Sequence, residues 1–451
     1  MSLRKLEYIA HWLVRVARGT ALVAALLYCI PGTALAADAP EDWSLHGQMT
    51  FVDQYHPAFK SPYRGAFSLD PGSRGDETFD LTLYAGVRLW NEGEFYVNPE
   101  LDQGFGLSTT VGVAGFTSGE AYKVGKTNPY VRFHRAFFRQ TFDLGGDAET
   151  VEPDANQLGH TQTADKVVVT IGKITATDMF DTNTYAHDPR RDFSNWAIVD
   201  SGAYDYAADA WGYSYGAVGE WTQSWWTLRA GFFDLSTIPN TTTLDKNLGQ
   251  FELVAEAEER HTWWAEAGKL KLLGYVNRGH MGSYDDAVAL GIATHATPDS
   301  SLVRKYASRP GAAINFEQKI DDNLGLFARA SINDGSKEAF EFTEINRSLA
   351  AGLSLEGTGW GRPNDTVGLA GVVDALSAPA RRYFAAGGIG ILIGDGQLPR
   401  YNTEDILETY YNAQLTPWLA ASVDYQFIAN PAYNSDRGPV SVFGARLHAQ
   451  I

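Results

Sequence analysis

Charged side chains set beside aromatic rings are the chemistry this chain offers, and the densest group lies in 176–207. Asp188, Arg190, Arg191, Asp192, Asn195 and Trp196 bring both signs of charge, an amide and an indole into one short segment. Ionised groups make the stronger hydrogen bonds, and a flat ring packs against the apolar side of a solute. Weak binding of a polar solute is within reach of such a set. Catalysis has no comparable group. The run Gly387-Gly388-Ile389-Gly390-Ile391-Leu392-Ile393-Gly394 lacks the Lys and Ser/Thr of a nucleotide loop, and no helical pattern follows it. The ten histidines include no His-x-x-x-His pair and no grouping with carboxylates, so no metal or other cofactor is expected. Asp321-Asp322-Asn323 reads as a turn rather than an acid/base pair.

The elements that must position these residues are strands. From Phe443 the odd positions read Phe443, Ala445, Leu447, Ala449 and Ile451, while Gly444, Arg446, His448 and Gln450 fill the even ones. That period gives a strand one apolar and one polar face. Sixteen such stretches are expected, at 43–55, 79–90, 94–101, 130–142, 166–175, 208–221, 225–234, 250–259, 266–277, 310–320, 324–333, 346–357, 364–374, 405–415, 418–428 and 440–451. The fourth is ambiguous, because Arg132 and His134 on one parity compete with Arg135 and Arg139 on the other. Closed on itself with apolar faces outward, the pattern describes an all-β, transmembrane antiparallel β-barrel of 16 strands with a wet interior. By parity Arg88, Glu100, Glu220, Arg229, Glu317 and Arg329 point inward, as do Tyr84 and Tyr96.

The gaps alternate short and long, as expected for short periplasmic turns and long external loops. The gap 143–165 is the exception, long on the short side. Trp43, Trp90, Trp221, Trp225, Trp226, Trp263, Trp264, Trp360 and Trp418 lie at the N-terminal end or beside short turns, and only Trp196 and Trp211 of the rest beyond residue 36 do not. Indoles favour a membrane–water boundary, so this reads as a girdle on the periplasmic rim.

Residues 1–36 read as a secretory signal peptide: Arg4, Lys5, Arg15 and Arg18, the apolar run Ala21–Ile30, then Ala34-Leu35-Ala36. Residues 37–451 are expected to form a single barrel domain. Cys29, the one cysteine, lies in the leader, so disulfides and thiol chemistry are not expected. The chain carries 36 Lys and Arg against 54 Asp and Glu; the leader holds four of the former and one of the latter, leaving a net charge near −21. That balance argues against nucleic acid as a partner.

A set of stretches, in order, resembles one family. They include His46-Gly47-Gln48-Met49-Thr50, Ser61-Pro62-Tyr63-Arg64-Gly65, Thr82-Leu83-Tyr84 through Arg88-Leu89-Trp90, and Asn98-Pro99-Glu100-Leu101. Then come Val113-Ala114-Gly115-Phe116 with Gly119-Glu120-Ala121, Tyr185-Ala186-His187-Asp188-Pro189-Arg190, and Asp205-Tyr206-Ala207-Ala208-Asp209. Trp360-Gly361-Arg362-Pro363 and Tyr433-Asn434 with Asp436-Arg437-Gly438-Pro439 complete them. The chain resembles the carbohydrate-selective porins of Gram-negative outer membranes, the OprB-like family, over essentially all of 37–451. Two departures are Ile451, where the family ends in an aromatic residue, and Phe67, where an asparagine is expected.

The resemblance implies an integral outer-membrane porin passing glucose and other small sugars by passive diffusion, surrounded by lipid and with a homotrimer as the common assembly of sixteen-stranded porins. It also implies that the loop after strand five folds inward as a constriction carrying Asp188, Arg190, Arg191, Asp192 and Trp196. Arg88, Glu100, Glu220, Arg229, Glu317 and Arg329 are then candidate solute contacts or structural pairs, with Tyr84 and Tyr96 as ring-stacking positions. Contacts must stay weak for the solute to leave. The negative charge keeps a general or cation-preferring porin as the alternative. A barrel lipase would need a Ser–His pair on the lipid face, which the assigned faces lack, and a periplasmic β-enzyme or sugar-binding module would be released without detergent.

Overall fold

The computed structural model describes residues 40–121 and 125–451, so the expected signal peptide lies outside the described residues. The alternating stretches become sixteen strands: β1 Trp43–His56, β2 Arg74–Trp90, β3 Gly93–Gly104, β4 Lys126–Val151, β5 His160–Ile174, β6 Ser214–Gln223, β7 Trp226–Asp234 and β8 Phe251–Trp263. The remainder are β9 Glu266–Gly282, β10 Arg304–Lys319, β11 Leu324–Asn333, β12 Arg347–Gly357, β13 Arg362–Ala375, β14 Glu404–Thr416, β15 Leu419–Ala429 and β16 Val440–Gln450. Each pairs antiparallel with its chain neighbours, and β1 pairs with β16 from Gln48↔Gln450 to Tyr55↔Phe443, closing the barrel. Closure satisfies every edge, the condition for a sheet in hydrocarbon. Among the described residues no helix is long and apolar enough to cross a membrane.

The outward face carries the apolar set: Leu83, Val87 and Leu89 on β2, Leu349 and Leu353 on β12, and Val423 and Phe427 on β15 are all exposed. Their alternating neighbours, such as Thr82, Tyr84 and Gln426, are buried inside. Trp43, Trp90, Trp221, Trp225, Trp263, Trp264, Trp360 and Trp418 stand exposed at the short-turn rim.

Several boundaries differ from expectation. Residues 208–213 belong to the loop before β6 rather than to a strand, because the Asp209 carboxylate accepts from the Trp211 and Tyr213 amides at 3.0 and 3.3 Å and turns the chain. The ambiguity in β4 has a physical cause. Asn98 pairs with Arg135 but Pro99 pairs with Phe133, so a bulge at His134 adds one residue. A bulge reverses parity, and each reading holds on its own side of it. The long 143–165 gap is mostly strand: β4 and β5 continue past the rim, with register shifts at Asp143/Gly145 and Gly145/Ala148. Gly145 and Gly146 supply the positive φ of 114° and 88° that this bent ladder requires.

The buried core lies inside the barrel. Phe180, Phe193, Ile198, Val199, Tyr204, Phe340 and Tyr433 join wall residues such as Phe327, Tyr275 and Tyr410 in one cluster. Segment 175–213, containing the short helix α1 Trp196–Val199, fills much of it. External loops add α2 Tyr284–Thr294 and α3 Ala378–Ala385.

Candidate functional site

An irregular segment inside a barrel must find partners for its backbone groups, and the wall provides them. Arg329 on β11 donates to the carbonyls of Ile198 at 2.8 Å, Ala186 at 2.8 Å and Asp181 at 3.1 Å. Glu317 on β10 accepts from the Thr184 amide and hydroxyl, both at 2.7 Å. Glu256 on β8 accepts from the Asp181 amide at 2.8 Å, and Glu408 on β14 from the Asn195 amide at 3.0 Å. Asn195 in turn caps α1, accepting from the Ala197 amide at 3.0 Å. The segment is fixed against the wall from β8 round to β16 and narrows what remains of the interior.

Among the described residues, three adjoining cavities lie in what remains. An upper one of about 500 Å³ is lined by external loops, including Asn240, Asp299, Arg304 and Glu338. Asn240 also borders a small middle cavity of about 80 Å³, whose walls include Phe116, Trp196, Tyr206, Trp211 and Phe342. Trp196, Tyr206, Trp211 and Gly119 pass directly into a lower chamber of about 370 Å³. The middle cavity is an aromatic throat. Trp196 stacks on Phe116 at 4.9 Å and 19°, and meets Phe342 at 4.9 Å and Tyr206 at 5.7 Å. The Arg132 guanidinium lies 3.4 Å from the centre of the Trp211 ring.

The lower chamber collects charge. Tyr84, Glu120, Arg135, Asp178, Asp188, Arg190 and Arg191 line it, with Gln48, Gln450, Asp154 and Asn156 toward the short-turn end. Arg190 faces Glu120 at 3.2 Å and Asp80 at 3.8 Å. Arg135 and Asp178 form a two-point pair at 2.7 Å. Burial pushes the Glu120 carboxyl up to about 7, against the pull of Arg190. Asp192 sits behind the chamber wall, its carboxylate accepting from the His187 and Asp188 amides at 3.2 and 3.1 Å. Burial, aided by neighbouring Asp188, raises that carboxyl to about 6.

Of the residues singled out in the sequence, Asp188, Arg190, Arg191, Trp196 and Tyr84 are brought together here. The others stand elsewhere. Arg88 pairs with Glu94 at 3.1 Å near the short-turn rim. Glu220 joins Arg229 at 2.8 Å, and Arg229 also reaches Glu256 and Glu258 at 2.9 Å. Glu317 and Arg329 hold the inserted segment, as above. Glu100 accepts from the Thr82 hydroxyl at 2.6 Å. Tyr96 has no open face: it is 1% exposed, stacks on Phe137 at 5.0 Å and gives its hydroxyl proton to Glu94 at 2.7 Å.

One expectation is corrected. The histidines do group with carboxylates, because adjacent strands bring His134 Nε2 to 3.1 Å from Asp102 and 3.7 Å from Glu100. Their donor atoms lie within 4.8 Å of one another, a geometry that would admit a cation. Strand register, which spacing does not reveal, makes this cluster. Missed in the sequence were Arg135, Asp178, Tyr206, Trp211 and Phe342. Tyr206 stood inside a recognised stretch, whereas nothing about Phe342 marks it out.

Comparison with known proteins accords with this geometry. The family model described as carbohydrate-selective porin, OprB family, matches residues 68–451. The chain belongs to that family. As a carbohydrate-selective porin it is a passive channel, and family and fold alike are those of channels rather than enzymes. A high-pH structure of Pseudomonas putida OprB is similar at TM-score 0.67 and 15% identity, covering 91% of this chain and 94% of that one. The outer membrane channel DcaP of Acinetobacter baumannii is similar at TM-score 0.50 and 11% identity, covering 94% of this porin and 100% of that chain. No curated protein matches.

Proposed function

We propose that this porin passes glucose and other small neutral sugars across the outer membrane, making apolar contact in the throat at the Trp196 edge and exchanging hydroxyl hydrogen bonds in the chamber below. The observation that carries this reading is the aromatic throat set between two polar cavities. An indole held by Phe116 and Phe342 keeps its orientation and offers an apolar edge to a pyranose ring. Arg190, Arg191 and Asp188 then supply donors and acceptors that replace water one group at a time. Each contact is weak, so residence stays short.

Lipid around the apolar band and association into a trimer belong to the same reading, with the leader directing export. The general, cation-preferring alternative keeps one support, the net charge of −18 over the whole chain. Liposome swelling with a panel of mono- and disaccharides, beside single-channel currents titrated with glucose, separates the two. Saturable block of ion current by glucose is expected. Equal swelling for sugars and uncharged solutes of the same size, with no block, would refute the sugar site.

A further inference from the structure

The β4–β5 connection, 152–159, departs from the other short-side turns. At the same rim β2–β3, β6–β7 and β8–β9 are joined by two residues each, 91–92, 224–225 and 264–265. Here two strands overrun the rim, bend at the paired glycines, and turn back toward the lumen. The turn's contacts fix where it lies. Gln450 on β16 donates to the Asp154 carboxylate at 3.3 Å, although β1, β2 and β3 stand between β16 and β4 in the barrel. Gly159 exchanges hydrogen bonds with Glu41, ahead of β1, at 2.8 and 2.9 Å. A segment that touches both its own strands and one four places away spans a chord of the opening.

Its anchoring is complete on one side. Asn98 donates to the Asn156 side-chain oxygen at 2.8 Å, Arg139 to the Asn156 carbonyl at 2.9 Å, and the Leu158 amide to the Tyr96 hydroxyl at 3.0 Å. Leu158 is wholly buried. Asp154, by contrast, is exposed, and lines the same chamber as the exposed Arg191. An acceptor-only group and a donor-only group thus share one chamber at the end away from the throat.

We propose that this turn is a second specificity element, in which Asp154 contacts a neutral polyhydroxylated solute as it leaves the chamber. Asn156 is a positioning residue that holds the turn across the opening. The solute class rests on the sugar reading above; the effect on ions does not.

The test uses the full purified porin in planar bilayers, with glucose and potassium chloride as probes. Asp154→Asn lowers the cation-to-anion permeability ratio by about twofold and weakens glucose block by about threefold when glucose is added on the short-turn side. Because the chain's one cysteine is Cys29, Asp154→Cys gives a thiol that a sulfonate-bearing reagent can recharge. That reagent restores the ratio, and an uncharged methylthiolating thiosulfonate does not. An unchanged ratio and block in an Asp154→Asn barrel that keeps its heat-modifiable mobility overturns the inference. Wild type without glucose block, but with the ion ratio still shifted in the variant, refutes the sugar reading and leaves the exit filter standing.

Discussion

The two sides of the barrel interior use charge in different proportions. On the β8–β11 side, Glu256, Asn315, Glu317 and Arg329 are each taken up by backbone or side chains of the inserted segment. On the β16–β2 side Arg446 clamps the segment as well, donating to the Pro189 and Asp192 carbonyls, but beside it Gln48, Tyr84 and Gln450 line the chamber, and most of the charges they face come from the segment and neighbouring loops. An inward charge on a strand is therefore no sign of a solute contact. It is at least as often a clamp, and the free charges ride on what is clamped.

The strongest way to break this contrast is to release a clamp. Arg329→Ala leaves the Ile198 and Ala186 carbonyls without their donor and the Asp181 carboxylate without its neighbour at 3.5 Å. Breaking such a buried charge site costs about 3–5 kcal/mol. The segment should leave the wall, conductance should rise severalfold and glucose block should vanish; unchanged conductance would show that the clamp is redundant. Next comes the throat. Trp196→Ala removes a stack of roughly 0.5–1.5 kcal/mol, up to about tenfold in the glucose concentration that halves the current. Block as tight as wild type would move the apolar sugar contact elsewhere.

Smaller effects sharpen the other half. Arg191→Ala, at an exposed chamber charge, should weaken block about two- to threefold and raise cation preference without altering heat-modifiable mobility. The matching change at Arg88, spent on Glu94, should leave block alone. Least of all is the effect of pH. Glu120, with its carboxyl near 7, is neutral below that value and ionised above it. Raising pH from about 6 to about 8 should therefore increase cation preference slightly, and Glu120→Gln should flatten that response. A rise in anion preference would place the ionising group elsewhere.

The barrel was legible because period-two alternation is a local property, carried by the strands with β4 split into two halves by its bulge. Tryptophans at the rim gave the orientation for the same reason. What stayed hidden depends on residues far apart in the chain. Phe342 reaches Trp196 only because two external loops fold into one space. His134 meets Asp102 through a bulge no spacing announces. The inserted segment was readable as charged and aromatic, yet which of its charges face the chamber depends on the clamps. Arg88, Glu220 and Arg229 show the limit: parity placed them inside, and neighbouring opposite charges claimed them.

The seam between β1 and β16 joins residues some four hundred positions apart, Gln48 with Gln450. Until that seam zips, any shorter arc of sheet carries two raw edges of unpaired amides and carbonyls, intolerable in hydrocarbon and sticky in water. The nascent polypeptide must consequently be kept unfolded and escorted until its hindmost hairpin is in hand, so a chaperone-free refolding trial should yield aggregates wherever detergent is withheld.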